Sequence, residues 1–158
     1  MRDGKFQINP ANNVFHLLLK AILQLGAIPV KAAQVRTDVM PVDLCAAEVM
    51  ALRNGKNTIY HIMNFDPPCL GDIMTSIDKS FPIVERRAFD KILKKKMASM
   101  DRRLLAVLIS NLNESISRIP GVNVKYDITK LHLRAKGFTV PTIPLETVFE
   151  SYKKGEQP

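Results

Sequence analysis

Tyr126-Asp-Ile-Thr-Lys130 has the Tyr-x-x-x-Lys spacing that sets a phenol and an ammonium on one helix face, as a dehydrogenase requires. Here Asp127 and Thr129 are the expected caps of the following helix, so Tyr126 falls before it and the spacing reads as coincidence. His16, His61 and His132 stand alone on predicted helices or a strand, with no carboxylate or cysteine at ligand spacing, and are assigned structural or surface roles. Cys45 and Cys69 lack zinc spacing and any signature of an activated nucleophile, and two cysteines make no disulfide scaffold, so both are expected as reduced thiols. No G-x-S-x-G elbow is present. Asp38 and Asp43 flank Met40-Pro41-Val42 and could act as paired carboxylates, but capping and strand-end hydrogen bonding explain both and are favoured.

The glycines stand at positions 4, 26, 55, 71, 121, 137 and 155, never closer than sixteen residues. Neither a G-x-G-x-x-G nor a P-loop can be built from them, which excludes a complete dinucleotide site in this chain. Charge is the positive signal. Of a formal net +8, the stretch from Arg86 to Arg103 supplies +6, from eight basic residues against Asp90 and Asp101. Such a stretch reads as a solvated helix face, as a docking surface for an acidic protein or, least favoured, as a nucleic-acid site; no exposed aromatic set for base stacking accompanies it.

Apolar periodicity predicts the elements that would position these groups. Val14, Leu17, Leu18, Ala21, Ile22 and Leu25 mark a helix face, with Asn12 or Asn13 to cap it and Gly26 to end it. Asp43 is placed to cap a short Ala-rich helix running to about Arg53, and Asn54-Gly55 makes a turn. Thr58 to Met63 reads as a buried strand, and Leu70, Ile73, Met74 and Ile77 as the next helix. An extended Phe81 to Val84 leads into helices at about 86–97 and 101–117, with Asp101 to cap between them and the first burying Phe89, Ile92, Leu93 and Met97. Val122 to Tyr126 suggests a short strand, Gly137 stops a further helix, and Leu145, Val148, Phe149 and Tyr152 give a closing one.

The expected class is therefore α/β and helix-rich, with a few parallel strands. At 158 residues the chain suits one domain, with residues 1–78 and 79–152 as candidate halves and 153–158 as a tail. The longest apolar runs fall short of the ~20 residues that cross a bilayer. With no charged-then-apolar leader, a soluble cytoplasmic protein without membrane contact is expected.

Three segments carry a resemblance: Asp3-Gly-Lys-Phe-Gln-Ile-Asn9, the helix ending Leu25-Gly-Ala-Ile-Pro29, and Met40-Pro-Val-Asp-Leu-Cys-Ala46. Together they resemble the terminal thioester reductase domains of non-ribosomal peptide synthetases, which are extended short-chain dehydrogenase/reductases. Ile59 to Asn64, Lys130 to Phe138 and the segment from Pro141 follow in the same order, although Val140 stands where Trp is expected. In that family the glycine loop and Tyr/Lys dyad precede the Asp-Gly-Lys-Phe-Gln segment. The resemblance thus implies a C-terminal part: strands completing a Rossmann-type sheet plus a mostly helical substrate-binding subdomain, with no catalytic, cofactor-binding or metal residue of its own.

By the same resemblance, the parent domain uses NADPH to release carrier-bound peptidyl or acyl thioesters as aldehyde or alcohol, and this chain alone is not active. Phe6, Gln7 and Asn9 would contact substrate, or simply form the loop entering the first helix. Lys94, Lys95 and Lys96 would meet an acidic phosphopantetheinyl carrier domain. The upstream Rossmann part of the same polypeptide is the other implied partner. A non-catalytic protein-interaction module derived from a reductase and a small basic nucleic-acid-binding protein remain the alternatives.

Overall fold

A computed structural model describes residues 13–55, 59–112, 128–139 and 142–153. The first helix, α1 (Val14–Leu25), forms as its sequence dictates. The Asn13 side chain accepts the His16 backbone N–H, and Gly26 ends the helix with φ at 77°, where a Cβ would be strained. Leu18, Leu19, Ile22 and Leu25 bury one side of it.

The chain then enters β1 (Ile28–Pro29) and a single turn of helix, α2 (Val30–Ala33). Strand β1 pairs in parallel with β2 (Ile83–Val84), Ile28 opposite Ile83 and Pro29 opposite Val84. Between them run α3 (Val42–Leu52) and α4 (Leu70–Ile77), followed after β2 by α5 (Arg86–Lys96) and α6 (Arg102–Leu112). Asp101 caps α6, its carboxylate accepting the N–H groups of Arg103 and Leu104 at 2.8 and 3.1 Å. Helix α7 (Ile128–Ala135) closes at Gly137, also left-handed, with Phe138 N–H returning to Leu133 C=O and Gly137 N–H to Arg134 C=O. That pair of bonds is a Schellman turn. Two short helices follow, α8 (Leu145–Val148) and α9 (Glu150–Lys153).

The class is the expected one, a helix-rich α/β fold with two short parallel strands among the described residues. Helix α6 lies along α1, α7 packs on α3, and α4 meets α8 and α9. A continuous apolar core joins Ile22 and Leu25 to Ile73, Met74, Phe89, Leu108, Phe149 and Tyr152. No helix among the described residues is long and apolar enough to cross a membrane.

Several local expectations are corrected. Ile59–Met63 joins no strand ladder among the described residues, and Ile59 is 68% exposed rather than buried. A strand needs a neighbouring backbone to take its N–H and C=O groups; here the His61 N–H goes to the Thr129 hydroxyl at 2.9 Å. That contact also removes Thr129 as a cap, since it lies inside α7 and is fully buried. Asp43 lies in the first turn of α3, where its charge suits the helix dipole, while Pro41 holds the cap position. Met97 is 44% exposed, just past the end of α5. The closing helix is broken at Phe149 into two turns. Residues 113–117, Pro120-Gly121, Val122 to Tyr126, Asp127 and the tail from 154 lie outside the described residues.

Candidate functional site

Helix α5 separates the three candidate docking lysines. Lys96 turns back onto α1, donating to the carbonyls of Leu25 and Gln24 at 2.9 and 3.4 Å. Helix α1 has no basic residue in its own last turn, so this ammonium supplies the cation its carbonyl end favours. Lys94 and Lys95 are exposed and share a face with Arg87 and Lys91, at helical spacing. Arg86, in contrast, pairs with Asp90 at 2.9 Å. Phe6, Gln7, Asn9 and Tyr126 lie outside the described residues, and Lys130 sits on α7 with its ammonium 5.6 Å from the centre of the Phe65 ring.

An apolar cavity of about 440 Å³ opens where α1, the β1–α2 corner and the end of α6 meet. Phe15, Leu18, Val30, Ala32, Leu70 and Leu112 supply most of its wall, with Lys31, Thr37, Glu85, Arg86 and Asn111 as its polar groups. Such a lining suits an alkyl or acyl chain, since apolar surface does the binding and a few polar groups fix orientation. A second cleft, of about 600 Å³ and more polar, lies between the Asn64–Cys69 loop with the first turn of α4, α7 and the segment entering α8.

The buried polar groups are arranged for structure. His16 hydrogen-bonds through Nδ1 to the Tyr152 hydroxyl. Burial, then Lys20, lowers the His16 pKa, and burial raises that of Tyr152, so the pair stays neutral and ties α1 to α9. His132 Nδ1 lies 3.0 Å from the Tyr60 hydroxyl. These two histidines, expected alone, each have a tyrosine that lies far off in sequence. Asp38 accepts the Asn64 N–H at 3.0 Å, the hydrogen-bonding role favoured for it.

Sequence reasoning missed Glu48. It is fully buried, and neither carboxylate oxygen has a hydrogen-bond partner among the described residues. Burial and then the nearby Asp38 carboxylate push its pKa up to about 7. It stands four residues from both Leu44 and Leu52, the other buried residues of α3, and that spacing is the signal that would have found it. Among the described residues no group of three His, Cys, Asp or Glu side chains could hold a metal ion, and both cysteines are free thiols.

A nicotinamide dinucleotide needs glycines that let backbone approach its pyrophosphate. Gly26 and Gly137 stop helices, Gly55 lies against the Tyr60 ring and Gly71 against Ala33. None frames a phosphate, so the described residues do not fit that cofactor.

No family model matches the chain, and no curated protein does. Its fold is similar to part of a solved thiolation-reductase di-domain from an archaeal non-ribosomal peptide synthetase, with a TM-score of 0.74 and 23% identity. The match covers 97% of this chain and 33% of that one, so the chain spans about a third of the length of the structure it matches.

Proposed function

We propose that this chain is the C-terminal, substrate-binding portion of an NADPH-dependent thioester reductase that releases carrier-bound peptidyl or acyl thioesters as aldehyde or alcohol in the cytoplasm. The observation that carries the proposal is the fold similarity to a thiolation-reductase di-domain over nearly the whole chain. The three N-terminal sequence segments point to the same family independently. On this reading the apolar cavity beside α1 takes the acyl chain, Phe6, Gln7 and Asn9 lie near the reacting end, and NADPH is held by the upstream Rossmann part.

Two surfaces suit the partners this reading requires. Helix α3 is apolar on its outer side, with Val42 62%, Val49 52% and Met50 57% exposed, and Leu131 adds an exposed apolar residue on α7, which packs against it. An exposed apolar helix side suits burial against a partner, and the Rossmann part is the occupant proposed for this face. The Arg87, Lys91, Lys94 and Lys95 face of α5 suits an acidic carrier domain. No aromatic ring among the described residues is fully exposed, which favours a protein over nucleic acid at that face.

Titration calorimetry with NADPH tests the reading. The chain alone should not bind, and the same chain joined to about 250 upstream residues, the scale of a Rossmann part, should. Binding by the chain alone would overturn the proposal, as would no binding by the longer polypeptide.

A further inference from the structure

The second cleft carries charges that the reductase reading does not use. Lys130 and Arg134 stand one turn apart on α7 and both line it, with Leu133 between them. Like charges at this spacing repel each other unless an anion lies between them. Neither has a carboxylate partner among the described residues, and Lys130 is half-buried over the Phe65 ring. The two acids of the wall are otherwise engaged. Asp72 accepts the Cys69 N–H at 3.0 Å as part of the α4 cap, and Asp66 lies 3.6 Å from Arg36. Arg36 itself also lines the cleft, with Asn64, Thr139 and Thr142; the apolar part of the wall runs from Pro67 and Pro68 to Phe138.

From this we infer that the cleft binds an organic phosphate monoester, its phosphoryl group between Lys130 and Arg134 and its carbon chain along the proline and Phe138 wall. A monoester carries nearly two negative charges at neutral pH, matching the two α7 cations that lack a carboxylate partner among the described residues, and a cleft of about 600 Å³ is of ligand size. A carboxylate would leave one cation unmatched. The inference stands whether or not the reductase reading does, because it rests on this cleft alone.

Calorimetric titration of the full chain with hexyl phosphate, inorganic phosphate and hexanol tests it without any enzymatic readout. Hexyl phosphate should bind at least about ten-fold more tightly than inorganic phosphate, since burying several methylenes adds to the ionic contact, and hexanol should not bind measurably. Lys130→Gln and Arg134→Gln should each weaken hexyl phosphate about three- to five-fold, on the scale of a partly exposed ion pair. Asp66→Asn should strengthen it about two-fold by removing the anion beside Arg36, a gain that misfolding cannot produce. The double change Lys94→Gln, Lys95→Gln should leave it unaltered. Equal weakening by that double change would show diffuse attraction to a basic protein and overturn the inference. So would equal affinity for hexyl and inorganic phosphate, or indifference to all three cleft variants.

Discussion

Glu48 is where a single residue departs furthest from what its type suggests. A glutamate in a short helix reads as solvated, and only its place between Leu44 and Leu52 says otherwise. Its raised pKa fixes the sign of a pH effect. A carboxyl near 7 when folded and near 4.5 when unfolded keeps its proton longer in the folded state. Below pH 4.5 both states are protonated and nothing is lost; stability then falls as pH rises to 7 and stays low above it. Glu48→Gln removes the charge at constant shape. Urea denaturation should show the variant more stable by about 2–3 kcal/mol at pH 8 and level with the parent near pH 4. A constant difference across that range would mean that Glu48 is not a buried charge. The apolar stripe of α1 was legible in the sequence because period and cap agree, whereas the His16–Tyr152 and Tyr60–His132 pairs were not, because their members are distant in the chain.

Among the elements, helices with their own signals were legible. Asn13, Gly26, Asp101 and Gly137 punctuate α1, α6 and α7 as their chemistry predicts. What failed were elements that depend on neighbours. Ile59–Met63 has strand composition, yet its backbone has no ladder to join, and the closing helix divides where Phe149 turns into the core. The candidate docking lysines also needed the fold to be told apart, since only the packing of α5 shows that Lys96 serves α1. Lys96→Ala should therefore lower stability by about 0.5–1 kcal/mol, the scale of a cation at a helix carbonyl end. Lys95→Ala should change it by less than about 0.5 kcal/mol, as surface substitutions do. Gly26→Ala should cost about 1–2 kcal/mol, since a left-handed φ strains any Cβ. Thermal denaturation of the three variants ranks them, and equal effects of the two lysine changes would show that Lys96 does not stabilise the end of α1.

For the molecule as a whole, the proposed reading makes two surfaces matter only in the longer protein. Met50→Lys on the outer face of α3 should leave this chain's own stability within about 0.5 kcal/mol. In the protein joined to its Rossmann part it should lower the melting temperature, because a charge would then be buried. Equal melting temperatures in that longer protein would show the face to be free. Lys94→Glu with Lys95→Glu, tested in the reductase at low salt, should raise KM for the carrier-bound thioester several-fold, on the scale of a few interfacial charges. An unchanged KM would remove the carrier from this helix. The bond between His16 and Tyr152 bears on synthesis, for it joins residues 136 positions apart. At ribosomal rates, roughly 5–20 residues per second, α1 waits on the order of ten seconds for the tyrosine that completes its surroundings. During that interval Leu18, Leu19 and Ile22 lack part of their final cover, so the apolar stripe of α1 waits for residues 145–153 to be made before its core is complete.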